Sequence, residues 1–148
     1  MKVILEQAEK QFENIPVIIA GDMNTNTFDG SIPSESARMY EIFKSETDRI
    51  NAPEKYESLF KLVESNGYDY KAPNLPGKIT RRKSIDGKGD LRMNIDWFFV
   101  KGMSCSEPAV AQTIFARSEL PGLEGMEESE GRQISDHNAI SGNFRIKD

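Results

Sequence analysis

Cysteine occurs once in this chain of 148 residues, as Cys105. That excludes an internal disulfide and a structural zinc site built on thiols alone, and it points to a buried or half-buried thiol with no assigned chemistry. Long apolar runs are missing. No stretch approaches the roughly 20 residues that a membrane-spanning helix needs, and no basic-then-apolar leader opens the chain. Positive charge is in short supply: 19 Lys and Arg stand against 24 Asp and Glu, a formal net charge of -5. A surface of that sign is not built as a whole for polyanions, so affinity for nucleic acid must come from a local patch. What is present, 37% hydrophobic residues, suits one domain with a real core.

The chain is organised around Pro16 to Thr25, PVIIAGDMNT. Val17 to Ala20 is too short an apolar run for a helix and is rich in β-branched residues, so it reads as a buried strand. Gly21 then lets the backbone turn, and Asp22 and Asn24 emerge at the strand's carboxyl end, where open α/β sheets place their sites. An acid and an amide two residues apart suit proton abstraction and oxyanion stabilisation. The same residues also suit a plain turn.

Residues 2–13 read as an amphipathic helix with Ile4, Leu5, Ala8 and Phe12 on one face. It starts directly after Met1 with no capping residue. A helix followed by a strand is the second half of a crossover unit, so the chain is expected to start within a fold. Thr25 to Ser36 reads as a polar loop broken by Gly30 and Pro33, and Ala37, Tyr40 and Phe43 fit a short helix. Asn51 to Asn66 carries the strongest helix signals: a capping box from Asn51 and Glu54, Pro53 in the first turn, apolar Tyr56, Leu59, Phe60 and Val63, and Gly67 as terminator.

Residues 68–78, with Pro73, Pro76 and Gly77, read as a loop. Lys78 to Arg92 is the one basic stretch, with six basic against two acidic side chains. It reads either as a phosphate-facing patch or as a solvated hairpin with Gly87 and Gly89 at its tip. Ile95 to Val100, IDWFFV, is a second strand. It carries Asp96, and a carboxylate in an apolar run needs a partner: Arg92 in a structural reading, a histidine in a functional one. Trp97 alternates to the opposite face and belongs to the core. Val110 to Phe115 reads as another strand, and Leu120 to Arg132 as a solvated acidic loop. A final strand follows His137, with Ile140, Gly142, Phe144 and Ile146 on one side. His137 is the only histidine, preceded by Ser135 and Asp136.

Taken in order, Gly-Asp-x-Asn after an apolar strand, Asn-Ile-Asp-Trp, and Ser-Asp-His before the last strand resemble the endonuclease/exonuclease/phosphatase (DNase I-like) superfamily. The resemblance runs over residues 1–148 but matches the carboxyl-terminal half of that family's domain. It implies part of a four-layer α/β sandwich and a phosphoester hydrolase, either nuclease, other phosphodiesterase or phosphatase, that uses Mg²⁺ or Mn²⁺. On that resemblance Asp22 would orient or deprotonate the attacking water, and Asn24 would hydrogen-bond the nucleophile or the phosphate. His137 would contact the scissile phosphoryl group or act in acid–base work. Asp96 would fix its tautomer, and Asp136 would be a metal ligand or sit beside the metal. Asn94 and Ser135 would support these groups, and Arg81, Arg82, Lys83 and Arg92 would meet a polyanionic substrate. The family's amino-terminal metal ligand, a Glu, has no counterpart here. Two alternatives to a hydrolase fragment follow: half of an assembly completed by another chain or a second copy, and a non-catalytic binding module.

Overall fold

The computed structural model describes residues 1–25, 34, 38, 41, 52–85, 89–115, 132–133 and 135–147. Within them the order is helix α1 (Lys2–Gln11), strand β1 (Val17–Asp22), a single 3-10 turn (Pro53–Lys55) and helix α2 (Ser58–Ser65). Strands β2 (Arg81–Ile85), β3 (Gly89–Met93), β4 (Asp96–Lys101), β5 (Met103–Ala111), β6 (Ile114–Phe115), β7 (Arg132–Gln133) and β8 (Ala139–Ile146) follow. Among the described residues the named strands pair antiparallel, in four two-stranded units: β1–β4, β2–β3, β5–β8 and β6–β7. The class is mixed α/β. The short helix around Ala37, Tyr40 and Phe43, the loop breakers Gly30 and Pro33, Asn51, Gly87 and residues 120–131 lie outside the described residues.

Strand alternation sorts β4 into two faces. Trp97 and Phe99 turn to one side, where Leu5 of α1, Phe60 and Val63 of α2, and Tyr68 and Tyr70 close the main core. The Phe60 ring sits 4.7 Å from Trp97, 5.0 Å from Tyr70 and 6.1 Å from Phe99, in tilted or edge-on contacts. Asp96 and Phe98 turn to the other side, and Phe98 meets Phe144 of β8 edge-on at 5.1 Å. Helices therefore cover one face of β1–β4, and β5–β8 lies against the other at Phe98.

The end of α2 forms as its glycine requires. Gly67 takes φ +79°. Its N–H reaches Glu64 O at 3.0 Å, and the Tyr68 N–H reaches Val63 O at 3.1 Å. This is the paired closure of a Schellman motif, with Val63 and Tyr68 supplying the apolar contact across it. The chain then runs along the free edge of β4. Asp69 exchanges both backbone hydrogen bonds with Val100 at 2.7 and 2.9 Å. The Asn74 side chain imitates a strand, taking the Phe98 N–H at 2.9 Å and donating to Phe98 O at 2.8 Å. The expected loop is thus the second edge of β4.

Several expectations are corrected. α1 ends at Gln11, and its buried residues are Leu5 and Ala8, while Ile4 and Phe12 are about half exposed. β1 continues through Gly21 to Asp22 and is not a fully buried strand. Only Val17 and Ile19 pack against the core, because its other face, with Ile18, is open. The continuous helix 51–66 is broken: Glu57 is extended (φ -90°, ψ 124°) and caps α2 without a side-chain hydrogen bond, and Tyr56 is exposed rather than core. The strand expected over 110–115 is divided between the end of β5 and β6. The basic stretch forms the hairpin β2–β3, with Gly89 inside β3. β8 alternates as expected except at Ile146, which is exposed.

Candidate functional site

Asp22 is the last residue of β1, so it and Asn24 stand at the strand's carboxyl end. β1 and β4 are antiparallel, and Asp22 lies directly opposite Asp96. Opposed residues of such a pair point to the same face, so two carboxylates share one end of the ladder. The ladder runs one step further, with the Met23 N–H on Ile95 O at 2.8 Å. Asn24 follows with φ +45°, a left-handed conformation that asparagine tolerates better than most residues, and its N–H bonds Asp22 Oδ1 at 2.8 Å. Asp22 Oδ2 is left facing His137.

His137 arrives from the segment before β8. Its Nδ1 lies 2.9 Å from Asp96 Oδ2 and 3.1 Å from Oδ1. A carboxylate only accepts, so Nδ1 donates in this contact, and whenever the ring is neutral the free lone pair is that of Nε2. Nε2 is 3.9 Å from Asp22 Oδ2 and 4.0 Å from Asp136 Oδ1, beyond direct hydrogen bonding. Asp96 is the least exposed of the three acids, with a side chain 13% accessible, against 32% for Asp22 and 53% for Asp136. Histidine, not Arg92, is therefore the partner of Asp96. Arg92 is exposed in β3.

Backbone ties hold the histidine segment. Ser135 Oγ accepts the His137 N–H at 3.1 Å. The Thr113 hydroxyl is shared between the carbonyls of Ser135 and His137. Arg82 N–H donates to Asp136 O at 2.8 Å, and Asn138 Nδ2 donates to Ile79 O at 2.8 Å. Behind Asp96, Asn94 is buried, and its carbonyl accepts from Thr25 Oγ1 at 2.8 Å and from Trp97 Nε1 at 3.3 Å.

The four cationic residues proposed from the sequence separate. Arg81 forms a bridge pair with His137, and its Nε donates to Asp136 Oδ2 at 3.1 Å. Burial alone would raise the Asp136 carboxyl. The Arg81 hydrogen bond and charge, helped by His137 and the backbone, outweigh it and hold the pKa below the ordinary aspartate value. Arg82 and Arg92 oppose each other in the hairpin register and so lie on the other face from Arg81. Lys83 is in β2, two residues beyond Arg81. The structure thus gathers Asp22, Asn24, Asp96, Asp136, His137 and Arg81 at one place, with Asn94 and Ser135 beneath. It does not bring Arg82 and Arg92 to it.

Sequence reasoning missed Thr80, Thr113, Asn74 and Asn138. Each acts by satisfying backbone groups of distant segments, which leaves no local signal. No metal-holding group of three or more His, Cys, Asp or Glu side chains is found among the described residues. No helix among them is long and apolar enough to cross a membrane. Compared with known proteins, the chain matches no family model, no curated protein and no solved structure.

Proposed function

We propose that the chain carries the acid–base part of a phosphoester hydrolase site of the endonuclease/exonuclease/phosphatase kind, on a portion of that family's sandwich. One observation carries the reading: Asp96 holds His137 by Nδ1, which turns Nε2 toward Asp22 Oδ2 at 3.9 Å. Two acceptors at that separation suit one oxygen hydrogen-bonded to both. In the proposed reaction that oxygen is the attacking water. Asp22 and His137 orient it, and one of the two takes a single proton as the oxygen bonds to phosphorus in line with the leaving oxygen, whose own bond to phosphorus breaks. Asn24, held in a tight turn on Asp22, supplies an amide donor for the nucleophile or a phosphoryl oxygen. Among the described residues, Arg81 is a cation of the basic stretch beside the imidazole.

The resemblance implies Mg²⁺ or Mn²⁺, with Asp136 at the metal. The described residues do not fit that role by themselves. Asp136 is committed to Arg81, and no group of three potential ligands converges. The chemistry above is therefore drawn from the chain's own side chains. The test is hydrolysis of bis(p-nitrophenyl) phosphate by the folded chain, with and without Mg²⁺ or Mn²⁺. Turnover supports the reading, and its absence in every condition rejects it.

A second reading, an assembly with another chain or a second copy, rests on a separate observation. Val3, Ile4, Phe12, Ile15 and Ile18 of the α1–β1 region are 40–67% exposed. Among the described residues, β4 is the only strand paired with β1. Open strand edges beside apolar side chains favour association. Sedimentation of the chain beside an Ile4→Lys, Ile18→Lys variant tests it. A dimer lost in the variant favours assembly, and a monomer in both rejects self-association.

A further inference from the structure

Thr80 is 2% exposed, and each of its polar groups is in use. Its N–H donates to Met93 O at 2.9 Å, and its carbonyl accepts the Asn138 N–H at 2.6 Å. Its Oγ1 accepts two consecutive backbone amides, Ile95 at 2.9 Å and Asp96 at 3.0 Å. Those two amides lie in the gap where β3 has ended at Met93 and β4 begins at Asp96. Thr80 Oγ1 thus gives both amides the acceptor that such groups require away from water.

We propose that Thr80 is the positioning residue of the Asp96–His137 pair, its hydroxyl fixing the backbone that carries Asp96 while its carbonyl fixes the backbone next to His137. One residue therefore sets the separation of both partners. The hydroxyl holds the start of β4 so that the Asp96 carboxylate projects toward the imidazole. The carbonyl, on the Asn138 amide, sets the height at which His137 lies beside β2. The bridge of Arg81 to His137 and the Arg82 N–H on Asp136 O continue the same line of pairing. Thr80 does not touch the reacting atoms. It acts through the tautomer and the orientation of the ring, and a displaced base costs rate steeply. The catalytic meaning of this role rests on the hydrolase reading above, but the geometry does not.

Because the chain has a single histidine, its ring nitrogens are unambiguous in long-range ¹H–¹⁵N spectra. The experiment compares the full chain with Thr80→Ser, which keeps the hydroxyl, and Thr80→Val, which keeps the shape and loses it. Wild type and Thr80→Ser are expected to show one tautomer, protonated at Nδ1. Thr80→Val is expected to show a mixture of tautomers and to lose hydrogen-exchange protection at Ile95 and Asp96. An unchanged His137 spectrum in a folded Thr80→Val chain overturns the proposal, as does a Thr80→Ser chain that behaves like Thr80→Val. If Thr80→Val does not fold, the wild-type amides decide: slow exchange at Ile95 and Asp96 supports the proposal, and exchange as fast as an open loop overturns it. None of these readouts requires turnover, so failure of the hydrolase reading and failure of this one are distinguishable.

Discussion

Asp22 and Asp96 oppose each other in register across β1 and β4, and the one imidazole of the chain reaches toward both, at 3.9 Å from the first and 2.9 Å from the second. Two like charges directly across a ladder work against the fold. The arrangement persists because Asp22 accepts the Asn24 amide and Asp96 accepts the imidazole N–H.

Asp22→Asn removes one of the opposed charges and keeps the oxygen that accepts the Asn24 amide. The expected result is a fold more stable by about 0.2–1 kcal/mol, with slower hydrolysis. Thermal unfolding and rate measured on the same preparation check this. A variant both less stable and equally active contradicts it.

Arg81→Gln removes the partner that holds Asp136 low. A carboxyl whose folded pKa lies below its unfolded value, about 3.9, adds stability that is present above that value and lost as pH falls through the folded pKa. Wild type should therefore exceed the variant above about pH 4, and the two should converge in stronger acid. Asp136 is half exposed, so the difference is expected to stay within about 1 kcal/mol. Melting curves from neutral pH downward measure it, and a gap that widens in acid rejects the assignment.

Gly142→Ala tests the packing of β5 on β8. A Cβ there meets Cys105 Sγ at 2.8 Å. Overpacking is expected to cost about 1–3 kcal/mol, and Cys105→Ala in the same chain should recover most of it. Urea unfolding of the four members of the cycle gives the coupling. Burial raises the Cys105 thiol above its ordinary pKa, with Asp69 adding to it, so slow alkylation near neutral pH is expected as well.

Phe60→Ala empties the centre of the main core, where the ring touches Tyr70, Trp97 and Phe99. The expected loss is about 3–5 kcal/mol, a large share of the roughly 5–15 kcal/mol that holds a domain together. A loss below 1 kcal/mol, read by denaturant unfolding, would show that α2 does not dock as described.

The legible parts were those where one residue breaks a pattern. Asp96 interrupts an apolar strand, alternation places Trp97 on the opposite face, and Gly67 stops a helix where a positive φ is required. The illegible parts depend on what lies across space. Ile4 and Leu5 are equally apolar, and only the position of the core selects Leu5. Glu57 breaks helix 51–66 through a backbone choice that side-chain periodicity does not encode. Thr80 and Asn74 look like ordinary loop residues, because their hydrogen-bond partners lie 15 and 24 positions away. The pairing of Asp136 with Arg81, 55 positions apart, had no local signal either.

The most direct measurement is the hydrolysis of bis(p-nitrophenyl) phosphate by the chain and by His137→Ala, with Asp96→Asn alongside and each shown to be folded. The account predicts turnover that falls by about 10²–10⁴ in His137→Ala and by less in Asp96→Asn, whose ring keeps an acceptor. Equal turnover in His137→Ala and wild type would contradict it.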